Sequence, residues 1–418
     1  MPIQGSHIKN KINSRQRVFI RKEKMEENTK KEPLWTATFI NNMLINFIFY
    51  LVFYLLTVII GTVAVADMGA SASLAGILSG IFIVGGFIGR LWTGNNISRI
   101  GQKKTLIIGT IIYLLFTLFY FFIHSITLLL IIRLLHGIGF GIAATASGTL
   151  AGLVVPTTRR GEGIGYYALS VTLASAIGPF LSIFLYHTFN YTVLLVLSTV
   201  LLILALGGEM ILSIPDHVKT AYKKIEKKAF SWANYFEKTA LPIAFIAFLM
   251  GIAYSSILSF LANFTAEIGL ATAGSFFFLV YAIFSLASRP VTGRLFDSRG
   301  ENFVLYPAFV IFSLGLALIA GTHASIILLI AAALVGLGFG SFSPFGQAVA
   351  IRDVKPERLG IATSTFFGLY DMGVGFGPFG LGLLEPFTGY RNLYLISAGF
   401  VLVIIFIYWL IHGRRVGK

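Results

Sequence analysis

Residues 35–63 are apolar almost without a break, and eleven further stretches of the chain share that character. The runs fall at 35–63, 72–93, 105–125, 127–155, 163–187, 190–214, 241–266, 271–292, 303–321, 324–351, 360–384 and 390–412. About 18 apolar residues in a row suffice for a helix to cross a bilayer. The pattern therefore predicts an all-α membrane protein with twelve transmembrane helices. The runs are not alike. Runs 3, 6, 9 and 12, such as TLIIGTIIYLLFTLFYFFI in the third, are apolar nearly all round and are expected to face lipid. Runs 1, 4, 7 and 10 carry polar groups at helical spacing. Asn42, Asn46, Phe49 and Phe53 share a face in the first, and Arg133, His136, Phe140 and Ser147 in the fourth. Ser256, Ser259, Asn263 and Glu267 do so in the seventh, and Ser343 and Gln347 in the tenth. Hydrocarbon offers such groups no partner. These four helices are expected to enclose a polar central cavity, with runs 2, 5, 8 and 11 flanking it.

Composition agrees. Of 418 residues 56% are hydrophobic and 12% charged, against about 25% charged in soluble domains; the mean hydropathy is +0.84. There is no cysteine, which excludes disulfides, thiol chemistry and thiolate-bound metals. The net charge of +15 invites a nucleic-acid reading until it is sorted by position. Thirty of the 32 Lys and Arg lie in the N-terminal tail, around the loops after even-numbered runs and at the C-terminus. That is the positive-inside bias: both termini are expected in the cytoplasm, with no nucleic-acid partner and with anionic lipid as a secondary attraction. On this sorting, which counts Arg90 and Arg289 near the ends of their runs with the loops, Arg133 is the one base buried in a run, and Arg391 alone lies on the far side. The first thirty residues are polar and show no cleavable signal. MEENTKKEPLW, from Met25, reads as a natural start, with residues 1–24 as an upstream extension.

The chain repeats itself at a constant shift of 199 residues. RLWTGNNISRIGQKKTL from Arg90 answers to RPVTGRLFDSRGENFVL from Arg289, GIGFG at Gly137 to GLGFG at Gly336, and Gly178-Pro179 to Gly377-Pro378. Two parallel six-helix bundles follow, at 35–214 and 241–412, an arrangement that transporters use. They are flanked by a tail at 1–34 and a short one at 413–418, both cytoplasmic, and joined by a charged linker at 215–240 that is expected to lie on the membrane face as an amphipathic helix.

The repeated motifs resemble those of the major facilitator superfamily, and within it the proton-coupled drug and metabolite exporters; the resemblance covers residues 35–412. The family's loop after the second span, Gly-x-x-x-Asp-Arg-x-Gly-Arg/Lys-Arg/Lys, is matched by Gly94, Ser98, Arg99, Gly101, Gln102 and Lys103, with Ser98 in place of the acid. The second copy keeps the acid, as Gly293, Leu295, Asp297 and Gly300. Arg133 and Gly137 match the fourth-span motif, and Gly178-Pro179 the antiporter motif of the fifth, whose closing Gly-Gly is Ser182-Ile183 here. The resemblance implies the major facilitator fold, alternating access, and a part for Arg133 in proton coupling. In physical terms, a short turn holding an acid and several bases can latch two helix ends by charge-assisted hydrogen bonds. The latch is expected to be weaker at Ser98 and to rely on Asp297. Glycines four apart, at Gly85 to Gly89, Gly137 to Gly141 and Gly336 to Gly340, suit close helix packing. The two Gly-Pro pairs are expected to bend helices where the halves slide, because proline removes a backbone donor. GFGPFG at Gly375 fits G-x-G-x-x-G but follows no strand, so it gives no dinucleotide site.

One acid has no easy route to either interface. Asp371 sits near the middle of the eleventh run, while Asp67, Glu162, Glu209, Glu267 and Glu385 lie near run ends. A carboxylate facing lipid costs about 3 kcal/mol or more, and burial disfavours its charged form. Asp371 is therefore the leading candidate to load a proton on one side and release it on the other, with Arg133 and His136 beside it and Glu267 and Asp67 as secondary candidates. Asn42, Asn46, Tyr254, Ser256, Asn263, Tyr281, Gln347, Phe367 and Tyr370 are candidate cavity residues, with Phe277 a further aromatic. A flat or cationic solute could stack on these rings. No nucleotide-binding loop, H-E-x-x-H or G-x-S-x-G occurs, so neither an enzyme nor a nucleotide-powered pump is expected, and no catalytic, metal or cofactor site. The reading is a monomeric secondary transporter of a bacterial cell membrane, driven by a proton gradient and exporting small organic molecules. Proton-coupled import of a sugar or another metabolite is the alternative.

Overall fold

The computed structural model describes residues 33–70, 72–123, 125–214 and 235–415, with side chains at all of these except 65–67, 72, 73, 75, 76, 79, 183 and 187. Residues 1–24, expected to be an upstream extension, the expected linker helix over most of its length, and the side chain of Asp67 lie outside the described residues. What is described is almost continuously helical: α1 (Ala37–Met68), α2 (Ala72–Ile100), α3 (Gln102–Phe119), α4 (Ile126–Val154), and α5, made of Arg160–Tyr167 continued by Leu169–Thr188. There follow α6 (Tyr191–Ile211), α7 (Leu241–Glu267), α8 (Ala271–Arg299), α9 (Glu301–Ala320), α10 (Ser325–Arg352) and a stretch Leu359–Ile411. Inside that stretch only Gly389 leaves helical geometry, at φ 68 and ψ 167, and it divides α11 (359–388) from α12 (390–411). The helices match the twelve apolar runs one for one. Both ends of the described chain lie on one face, here called the terminal face.

Local chemistry sets the helix ends. Thr36, Ser125 and Asn190 accept the N–H of Phe39, Leu128 and Val193 and so cap α1, α4 and α6. Gly101 and Gly300, one repeat apart, start α3 and α9 at φ 88 and φ 83, a region that side chains with a Cβ rarely adopt. The motif glycines at these two places therefore make the α2–α3 and α8–α9 turns.

Glycine also sets the packing inside each half. A Cβ at Gly137 would collide with the Phe82 carbonyl, and one at Gly141 with that of Gly86, so α2 and α4 touch backbone to backbone. Gly336 against Tyr281 and Gly340 against Ser285 do the same for α8 and α10. α4 is buried from Gly139 through Gly152, and α10 over nearly all of Gly338 to Ile351. Large apolar side chains on α6, such as Val196, Val200 and Ile203, and on α12, such as Leu402, Val403 and Phe406, are exposed, as a lipid-facing surface requires.

The glycines of the two Gly-Pro pairs pack within their own halves. Gly178 packs against Tyr54 of α1, and Gly377 against Ile252 and Ser255 of α7. Each contact is internal to one half, and both helices run through their proline without a break.

Candidate functional site

The halves meet along two seams that the repeat relates to each other. Between α2 and α11, a Cβ at Gly94 would lie 2.8 Å from Ser364 Cβ, and one at Gly360 would collide with Ile97. Between α8 and α5, a Cβ at Gly293 would lie 2.8 Å from Glu162 Cα, and one at Gly161 would collide with Phe296. The shift of 199 carries Gly94 to Gly293, Ile97 to Phe296 and Gly161 to Gly360. It also carries Ser98 to Asp297, and here the seams differ. Asp297 accepts the backbone N–H of Gly161 at 2.7 Å and of Glu162 at 3.0 Å, from the first turn of α5. Arg160 adds bonds to the carbonyls of Ile351 and Arg352 on α10. The second-half core likewise reaches across the terminal face to Leu34, Phe39, Val155 and Tyr167. The halves are thus closed against each other on that face.

Above the α2–α11 seam lies an ion pair. Arg90 Nε donates to Asp371 Oδ2 at 2.7 Å, with side-chain exposures of 2% and 20%. Arg90 Nη1 donates to Thr145 on α4 at 3.3 Å, and its guanidinium lies 5.2 Å from the Phe367 ring and 5.9 Å from that of Phe140. Ser364 donates to the Arg90 carbonyl at 2.7 Å, pinning α11 to the same turn of α2. Arg90 is ten residues from the end of α2 and Asp371 twelve from the start of α11, so the pair sits about 15–18 Å in from the terminal face. A charge-assisted bond at that depth joins the two halves, and Asp371 keeps an edge open to the space between them.

Arg133 is therefore not the one base inside the membrane region. Arg90 and Arg289 are only 1% and 2% exposed, and Arg133 0%. Nor does Arg133 reach Asp371. Its Nε donates to the Leu78 carbonyl and its Nη2 to Thr57, with Phe82 4.6 Å beneath it. Twelve residues along α4, about 18 Å, separate it from Thr145, where Arg90 lies. His136 belongs with Arg133: its ring nitrogens meet Thr117 at 2.9 Å and Tyr120 at 3.3 Å, and Tyr113 lies against the ring. The three groups taken together from the sequence split into two places.

The cavity candidates divide as well. Asn42 is bonded at both ends of its amide, to the carbonyl and the hydroxyl of Ser147, and Asn46 donates to Ser170. These tie α1 to α4 and α5 rather than lining open space, although Asn46 Oδ1 has no partner among the described residues. Ser256 turns back to the Ala253 carbonyl, while Asn263 and Glu267 are exposed. Phe277 is fully buried. Tyr254 stacks on Phe339 at 3.9 Å, with Tyr281 and Tyr370 within 6.3 Å of one or other ring, which makes one aromatic wall in the second half. Gln347 is buried near Gly148 of α4, and its Nε2 has no hydrogen-bond partner among the described residues. Glu209, placed near a run end in the sequence, is fully buried and accepts from Thr110 of α3.

The comparisons with known proteins fit this architecture. The chain is 24% identical over 347 residues to an uncharacterized MFS-type transporter of Methanocaldococcus jannaschii, covering 81% of this chain and 88% of that one. It is 24% identical over 354 residues to the staphylopine export protein of Staphylococcus aureus, covering 81% and 87%. Among solved structures it superposes on the human organic anion transporter MFSD10 with a TM-score of 0.75 at 14% identity, covering 90% of this chain and 100% of that one. The proton:xylose symporter XylE gives 0.72 at 14%, covering 90% and 96%. The sequence model of the Major Facilitator Superfamily matches residues 43–378; the chain, with twelve long helices among its described residues and two related seams, belongs to that family of membrane transporters.

Proposed function

We propose that this transporter exports small organic molecules across a bacterial plasma membrane in exchange for protons, by alternating access. The observation that carries the reading is the Arg90–Asp371 pair, which joins the halves at depth while leaving the carboxyl 20% exposed. Proton uptake by Asp371 replaces a charged acceptor by a neutral one and weakens the bond to Arg90. A proton arriving from one side thereby loosens one inter-half contact, and its departure restores it. The seams closed on the terminal face are the other element such a cycle needs, since one half must rock against the other. Lysine and arginine crowd the loops of that face, which supports a cytoplasmic placement and with it a state closed toward the cytoplasm. The staphylopine export protein among the relatives supports the export direction, while the symporter among the structural neighbours keeps import as the competing direction. The proton gradient serves as energy source, with no cofactor.

The test is proton movement in proteoliposomes that carry the purified protein and a trapped pH dye, across a panel of solutes. Solute and proton moving in opposite directions is the expected result, and movement in the same direction would favour import. Asp371→Asn should abolish the coupled proton signal. Coupling that persists unchanged in that variant rules out the assignment of Asp371.

A further inference from the structure

The repeat that carries Arg90 to Arg289 carries none of the polar partners of Arg90 onto a charged residue, and two of the three onto residues with no side-chain acceptor. Asp371 corresponds to Thr172, Thr145 to Pro344, and Tyr50, which lies beside Arg90, to Leu249. The two helix pairs match in detail: Gly141 meets Gly86 as Gly340 meets Ser285, so Pro344 stands level with Arg289 as Thr145 does with Arg90. Arg289 is consequently a buried guanidinium with little to hold. It is 2% exposed, its Nη2 reaches Ser285 at 3.3 Å on its own helix, and Nε and Nη1 have no hydrogen-bond partner among the described residues. Its stem lies against Gly165 of α5, where Phe345 also packs.

A buried charge without a partner is strongly disfavoured unless something supplies one. A guanidinium takes a carboxylate in bidentate fashion through Nη2 together with either Nε or Nη1, and Nη2 has a second N–H besides the one that meets Ser285. We propose that Arg289 is the anion-docking group of the transport site, holding a carboxylate carried by the solute in the way that Arg90 holds Asp371. This rests on the transporter reading above and narrows it. Tyr281 lies on the same helix, eight residues away, or about 12 Å, and belongs to the aromatic wall with Tyr254 and Phe339. The solute class is therefore an elongated amphipathic acid, with a carboxylate at Arg289 and a flat apolar part on that wall. Arg289 is covered by α5, and the α5–α8 seam is the one latched by Asp297. The anion reaches Arg289 when the terminal face opens and α5 leaves α8.

The experiment uses the full chain in vesicles of phosphatidylcholine alone, so that no anionic headgroup competes. Two matched pairs serve as probes: 4-phenylbutyrate with its amide, and indole-3-butyrate with its amide. Wild-type protein should bind and move the acids roughly tenfold or more better than the amides, the factor expected for one charge-assisted pair. Arg289→Gln should bring that ratio close to one, and Arg289→Lys should keep part of it. Thr172→Asp supplies the acid that the repeat places on the other side. It should abolish the preference for acids and raise the melting temperature, and it gives a reading even if Arg289→Gln fails to fold. Wild-type protein that treats acid and amide alike or binds neither acid overturns the proposal, as does a preference unchanged in Arg289→Gln or Thr172→Asp. Proton-coupled movement of amides without discrimination overturns the role of Arg289 and leaves the transporter reading standing. Absence of proton movement with any solute, with the acid preference intact, overturns the coupling and leaves Arg289 in place.

Discussion

Asp297 of α8 takes the N–H groups of Gly161 and Glu162 with its two oxygens, at 2.7 and 3.0 Å, so one carboxylate spans the boundary between the halves at the first turn of α5. A helix start presents unpaired donors and a partial positive charge, which makes an acid the fitting latch. Ser98, its repeat mate, is buried beside the α2–α11 seam with no carboxylate to offer.

Removing this latch should shift the balance between open and closed terminal faces. Hydrogen bonds to a charged acceptor contribute about 1.5–3 kcal/mol each, so losing both in Asp297→Ala should favour opening by a factor on the order of a hundred or more. Ser98→Asp should favour closing, by offering the start of α11 the same contact. Spin labels placed across the terminal face would report both shifts. The chain has no native cysteine, so labelling sites can be introduced without removing any.

The Arg90–Asp371 pair calls for a double-mutant cycle. Arg90→Met or Asp371→Leu alone strands the other charge and should cost about 3–5 kcal/mol. The double variant should recover most of that stability and still lack coupled proton movement. Melting temperature in detergent and proton flux in vesicles read the two effects separately.

Glycines in close contact and glycines with open space beside them should part company. Gly137→Ala drives a methyl into the Phe82 carbonyl of α2, whereas a Cβ at Gly80 meets nothing within 4 Å. The first should cost roughly 1–3 kcal/mol or more, visible as lost folded protein on size exclusion. The second should be neutral or raise stability by about 0.5–1 kcal/mol, because alanine holds a helix better.

Gly389→Ala should be destabilising by about 1–3 kcal/mol although nothing crowds the position. Its φ of 68 with ψ of 167 lies in a region that glycine alone occupies readily. A lower melting temperature, with Gly399→Ala as the harmless control in open space on α12, is the expected outcome.

Much of this was legible before any coordinates. Apolar runs give the helices because lipid leaves a spanning backbone few alternatives, and Asp371 stands out because charge inside such a run has a cost. Arg90 and Arg289 escaped for a related reason. Hydropathy ends the second and eighth runs near residues 93 and 292, but α2 continues to Ile100 and α8 to Arg299. Two arginines counted as loop charges are thus more than a turn deeper than the pattern suggests. The signal that could have found them was present: both open the longest matched stretch of the repeat. The grouping of Arg133 and His136 with Asp371 failed differently. Helical spacing tells which residues share a face, and says nothing about which neighbouring helix that face meets, or at what depth.

The turn at Gly389 has a mechanical consequence. One residue leaves no slack between α11, which carries Asp371, and α12. α12 is in turn fastened to α9 where Ser313 bonds the Ala398 carbonyl and Tyr408 bonds Asn302. Any tilt of the acid-bearing helix is handed at once to the outer wall of its own half. That favours motion of the second six helices as a single block and leaves little room for α11 to slide alone within it.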